Sequence, residues 1–177
     1  EISQPTFFRY FPSKAAVLYE AASMALDEPL KRVPMLRANA GTAADFLKGL
    51  VSTYADVITQ QASLTRMIAQ HGGTETLKSF ICPSALDAMG EVEHQDGKFY
   101  EQMQLPFLTQ AVEDGQRRGE LDPDLPVDQL RGMFWSILCA IVGDWASVTP
   151  APYDLHERFA TAVDLFVNGC RGQLGRA

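Results

Sequence analysis

Apolar residues recur along this chain at three- and four-residue steps, and no stretch alternates apolar with polar long enough to make a half-buried strand. The period predicts an all-α protein. A short helix over Gln4–Tyr10 opens on Ser3, tolerates Pro5 in its first turn and is closed by Pro12. Ser13 caps a second helix that runs to Glu28 and stops at Pro29. After a loose stretch marked by Pro34 and Gly41, Thr42 and Asp45 form a capping-box pattern, although the usual partner three residues on is Glu or Gln. A long helix follows to His71, where Gly72 or Gly73 supplies a left-handed cap.

Short helical pieces over Thr74–Phe80 and Ser84–Met89 lead to a long helix over Gln95–Arg118, ended by Gly119. Pro106 inside it removes the N–H bond to the Gln102 carbonyl and is expected to bend or break the rod. The linker GELDPDLP precedes a helix over Val127–Ser147, and TPAP separates that helix from the last, over Tyr153–Cys170.

The helix over Val127–Ser147 carries Leu130, Phe134, Ile137, Leu138, Ile141, Val142 and Trp145 on one broad face. Its other side is small, with Gly132, Ser136 and Ala140 at four-residue spacing, which lets another helix backbone approach closely. The last helix has its own stripe in Phe159, Val163, Phe166, Val167 and Cys170. Apolar residues on more than one side of two adjacent helices fit a surface covered by a second copy of the chain, or two helices central in one protomer.

Composition narrows the class. With 177 residues, 46% of them hydrophobic and 21% charged, the chain can build one good core or a core with a small appendage. Fifteen Lys+Arg against 22 Asp+Glu give a net charge of -7, so bulk attraction cannot hold a nucleic acid and any polyanion contact must be local. Cys82, Cys139 and Cys170 are scattered among apolar neighbours, as in a reduced cytoplasmic protein, and show no metal-ligand spacing. The longest apolar run, GMFWSILCAIVG, is too short to span a bilayer, so no membrane partner is expected. No signal peptide is visible, and the start EISQPT reads as the continuation of an upstream segment.

The stretch SQPTFFRYFPSK crowds aromatics and cations into about three helical turns. Phe7 and Phe11 share a face that can enter a core with Val17 and Leu18. Ser3, Gln4, Thr6, Phe8, Arg9 and Tyr10 have no such reason to face inward. Gln4 can pair with an adenine edge, Arg9 with guanine or phosphate, Pro5 and Phe8 with a thymine methyl, and Thr6 and Tyr10 with phosphate. Lys14 stands in the first turn of the next helix, where the macrodipole disfavours a cation unless an external anion such as phosphate joins it.

Taken together, ISQPTFFRYFPSKAAVL resembles the second half of the helix-turn-helix of the tetracycline-repressor (TetR) family of bacterial regulators. The match runs through Ser3, Thr6, Phe7, Phe8, Tyr10, Phe11, Ser13 and Lys14, with Phe8 standing where the family commonly has tyrosine. The remainder is similar in architecture only: long helices, a DGQRRGELDPD turn and a closing apolar pair. The resemblance implies a partial DNA-binding domain over residues 1–28, lacking its first two helices, and a ligand-binding and dimerisation domain over 29–177. It implies phosphate contacts from Thr6, Tyr10 and Lys14, and base-side contacts from Gln4, Pro5, Phe8 and Arg9. The expected protein is a cytoplasmic homodimer that binds palindromic operator DNA, usually as a repressor, and is released by a small molecule. No cofactor and no catalytic activity are expected.

For the effector, an apolar or aromatic molecule is expected between helices, lined by Met67, His71, Phe99, Met103, Phe107, Phe134, Trp135 and Cys139. Arg66 and His71 are candidate polar handles, or satisfied structural residues. Glu91, His94 and Asp96 read as a solvated acidic loop, not a metal site. His71, His94 and His156 lie in unrelated contexts, so no Ser/His/Asp constellation is expected. The competing class is a helical small-molecule carrier or enzyme without DNA function, in which the opening helix is packing alone.

Overall fold

The computed structural model describes residues 31–70 and 97–171 and the single positions 11, 17, 21, 24, 25 and 29; within 97–171, side chains are described from Phe107 onward. The expected helices over Gln4–Tyr10, Thr74–Phe80 and Ser84–Met89 lie outside these residues. Six helical stretches follow from the rest. They are α1 (Val33–Asn39), α2 (Ala43–Gln60), α3 (62–70), α4 (Gly97–Arg117), α5 (Val127–Ser147) and α6 (Leu155–Gly169). No strand occurs among the described residues, as the periodicity predicts.

Local chemistry accounts for the ends. The Thr42 hydroxyl accepts the Asp45 N–H at 3.0 Å and Asp45 Oδ2 accepts the Thr42 N–H at 3.0 Å, so Asp completes the capping box in place of Glu. Gly119 ends α4 with φ 72°, and the Glu120 N–H reaches back to the Gly115 carbonyl at 2.8 Å, a left-handed helix stop that favours glycine. Asp154 caps α6 through the Glu157 N–H at 3.1 Å.

Four boundaries depart from the sequence reading. Residues 33–39 are helical instead of loose, because Pro34 falls in the first turn, where its missing N–H has no intrahelical partner to lose. Pro29 is itself helical, and its carbonyl accepts the Arg32 N–H at 3.1 Å in the turn before α1. The long helix expected to reach His71 is interrupted at Gln61, and the Thr65 hydroxyl turns back to the Gln61 carbonyl at 3.2 Å as α3 begins. Of the bend or break expected at Pro106, the break does not occur: α4 runs continuously over 21 residues, since one proline removes a single ladder bond from a helix held by its neighbours.

α2 packs on α1, α4 and α6, while α5 packs on α4 and α6, which closes a ring of four helices. Lys48 pairs with Asp164 at 2.7 Å and Asp56 with His156 at 3.3 Å, so α2 and α6 are antiparallel. Phe134 stacks against Phe166 and the Tyr153 hydroxyl donates to the Ile141 carbonyl, so α5 runs against α6. Arg131 reaches Thr109, and Gln116 donates to the Leu125 carbonyl, so α4 runs against α5. The result is an up-down-up-down bundle. Its centre is a single apolar cluster that includes Leu47, Ile58, Leu108, Leu130, Phe134, Leu138 and Phe159, all but excluded from solvent. Burying a side chain of this size contributes about 1.5–3 kcal/mol.

Candidate functional site

Phe134 and Trp135 are consecutive on α5 and therefore point in different directions around the helix. Phe134 faces α6, its ring centroid 5.1 Å from that of Phe166. Trp135 turns toward α2, where Tyr54 meets it edge-on with centroids 5.8 Å apart. Cys139, one turn further along α5, is buried as well. The structure thus divides the expected ligand-lining set: Trp135 lies at the α2–α5 contact and Phe134 belongs to the α5–α6 seam.

The other expected residues fall in three places. Phe107 on α4 is partly buried and packs against the core, and Met67 on α3 is 47% exposed. His71 and the side chains of Phe99 and Met103 lie outside the described residues. So do all eight expected DNA contacts, Ser3, Gln4, Pro5, Thr6, Phe8, Arg9, Tyr10 and Lys14, and the acidic stretch with Glu91, His94 and Asp96.

Trp135 is 3% exposed, and its Nε1 is enclosed without a hydrogen-bond partner. An unmet buried donor costs about 1–3 kcal/mol, and buried indoles ordinarily find an acceptor. Arg66 Nε is also enclosed and unpartnered, but its guanidinium lies over the Trp145 ring at 5.2 Å, a cation–π contact that offsets part of the cost. Tyr54 was missed by sequence reasoning. Its helical register with Leu47, Leu50, Val51 and Ile58 marks it as inward-facing, but its pairing with Trp135 depends on how α2 and α5 meet.

A second cluster corrects the sequence reading. Ser52 and Asp56, one turn apart on α2, both meet His156: Ser52 Oγ lies 3.4 Å from Nδ1, and Asp56 Oδ1 lies 3.3 Å from Nε2. The three residue types of a hydrolytic triad therefore do converge, across 104 positions of sequence for the Ser–His pair. The cluster ties α2 to α6. The N–H groups around Ser52 are engaged in the interior of α2 and so are not themselves free for an oxyanion, and the histidine and aspartate side chains are 40% and 60% exposed.

The small row on α5 points outward. Gly132, Ser136 and Ala140 are exposed, a Cβ on Gly132 would meet nothing within 4 Å, and Met133 beside them is 47% exposed. Leu165 on α6 is 70% exposed. Of the sequence reading's two alternatives for α5, its broad face is filled within the protomer while its small row is left uncovered.

Electrostatics is local and structural. The Arg37 guanidinium, hydrogen-bonded to Asp114 at 2.8 Å, holds that carboxyl below its ordinary range, with Arg117 adding to the effect against the opposing cost of burial. Burial pushes the Tyr153 hydroxyl upward, and the Asp144 carboxylate adds to it. The Cys170 thiol is likewise pushed up by burial, which disfavours its thiolate form. Among the described residues no three His, Cys, Asp or Glu side chains converge in a way that could hold a metal, and no helix is long and apolar enough to cross a membrane.

No family model, no curated protein and no solved structure matches the chain. What the described residues define is an all-α protein built on an antiparallel four-helix bundle.

Proposed function

We propose that this chain is a one-component transcription regulator of the TetR type. Its opening helix reads operator DNA, and its helical body binds a small effector and a second copy of itself. The observation that carries the reading is the run SQPTFFRYFPSK, in which aromatics suited to a core, polar residues of base-reading type, a serine suited to a helix cap and a lysine suited to a phosphate fall at the spacings such a helix needs. Two features of the body support it. One is the outward row of Gly132, Ser136 and Ala140, which admits a close two-fold contact between copies through α5 and α6. The other is the enclosed, unpartnered Trp135 donor within an apolar bundle.

In this mechanism Gln4, Pro5, Phe8 and Arg9 meet bases, while Thr6, Tyr10 and Lys14 meet phosphates. Dimerisation sets two such helices roughly 34–36 Å apart, one turn of duplex. An effector that prefers a body conformation with a different spacing releases the DNA. A coupling of about 1–3 kcal/mol changes operator affinity about 5- to 150-fold. The test is selection of bound duplexes from a randomised pool by the full-length protein. Enrichment of inverted repeats with half-sites one helical turn apart supports the reading, and a pool that stays random counts against it.

A further inference from the structure

We infer that Trp135 Nε1 is the hydrogen-bond donor of the effector site, and that the effector is a neutral apolar or aromatic molecule bearing an oxygen acceptor, such as a ketone or ester carbonyl. This deepens the effector-binding reading above and rests on it. The indole is flanked by Tyr54 and Phe134, at 5.8 and 6.4 Å between ring centroids, and neither supplies an acceptor to Nε1. Toward the C-terminal end its helix face continues with Leu138, Cys139 and Val142, all buried, and one turn before it stands Arg131, paired with Asp128 at 2.9 Å. A donor set in such surroundings selects a molecule that is apolar over most of its surface and brings one acceptor.

The charge of the acceptor follows from the same geometry. A buried carboxylate needs a cation beside it. The Arg66 guanidinium stands over Trp145, ten residues further along α5, or about 15 Å at the helical rise. It is too distant to neutralise an anion held at Trp135, and the nearer cation, Arg131 one turn before, is already engaged by the Asp128 carboxylate at 2.9 Å and by Thr109. A neutral carbonyl satisfies the indole without that demand.

Acetophenone and ethylbenzene make a matched probe pair, because they are similar in shape and differ in the carbonyl. Each is titrated into the 15N-labelled full-length protein while the indole N–H signals of Trp135 and Trp145 are followed, with Trp135→Phe supplying the assignment. Acetophenone is expected to bind at least about tenfold more tightly than ethylbenzene and to shift the Trp135 N–H downfield, with the preference collapsing in Trp135→Phe. If both probes bind with equal affinity and the Trp135 signal stays put, the donor role is overturned while effector binding stands. If neither binds, effector binding of this class falls together with the inference, and Nε1 serves a buried water only. The two wild-type titrations decide the matter even if Trp135→Phe does not fold.

Discussion

The Glu120 carboxylate accepts the backbone N–H of Ala43 at 2.5 Å, so the turn after α4 caps the start of α2 from 77 residues away. Arg118 Nε holds the other carboxylate oxygen at 2.6 Å. One of the orphan N–H groups at a helix start is thereby met by a tertiary partner, and two helices of the bundle are locked end to end.

Glu120→Ala removes that acceptor and the Arg118 pair together. It is expected to lower unfolding stability by about 1–2 kcal/mol, as losing a helix cap does, read from the urea midpoint at constant slope. An unchanged midpoint would show that water replaces the carboxylate at no cost.

At Gly115 α4 comes close to the start of α2. A Cβ built there lies 3.0 Å from Ala43 Cβ and 3.0 Å from Leu121 Cδ1. Gly115→Val should cost about 1–3 kcal/mol through overpacking, more than glycine's poor helix propensity can return. Thermal and chemical unfolding both report it. A variant as stable as the parent places the α2–α4 contact further apart.

Asp114 links α1 to α4 through Arg37, and its pH behaviour has a definite sign. Its folded-state pKa lies below the ordinary 3.8, so its contribution is fully present above that value and is lost as pH falls through the lowered one. Arg37→Met should move the Asp114 titration midpoint upward toward the ordinary carboxylate value, followed by carboxyl NMR. A midpoint that does not move would assign the effect to Arg117 alone.

The outward row on α5 carries the dimer proposal. Ala140→Trp puts a large ring where close helix contact needs a small side chain, and sedimentation velocity should then show monomers in place of dimers. A surviving dimer would put the interface on another face.

How much of this was legible in the sequence varies with the range of the interactions. α5 was readable to its ends because DPDLP and TPAP bracket a long apolar period, and the Thr42–Asp45 cap because it is a three-residue contact. Pro34 misled, and Pro106 did not break its helix, since a proline's effect depends on its place in a helix and on the bonds around it. The Glu120–Ala43 cap, the Ser52–His156–Asp56 cluster and the Tyr54–Trp135 contact were not readable. Each joins helices whose relative register the local pattern does not contain. Trp135 itself was named from the sequence as ligand-lining, but its unpartnered nitrogen emerges only once its neighbours are in place.

The most direct test of the regulator account is an anisotropy titration of the selected inverted-repeat duplex against a scrambled duplex, across a range of salt. The account predicts a preference of about a thousandfold or more for the inverted repeat. It also predicts a salt slope that falls by about one unit in Lys14→Ala, with the preference lost at particular base pairs in Gln4→Ala or Arg9→Ala. Equal affinity for the two duplexes, unaltered by any of these substitutions, would contradict it.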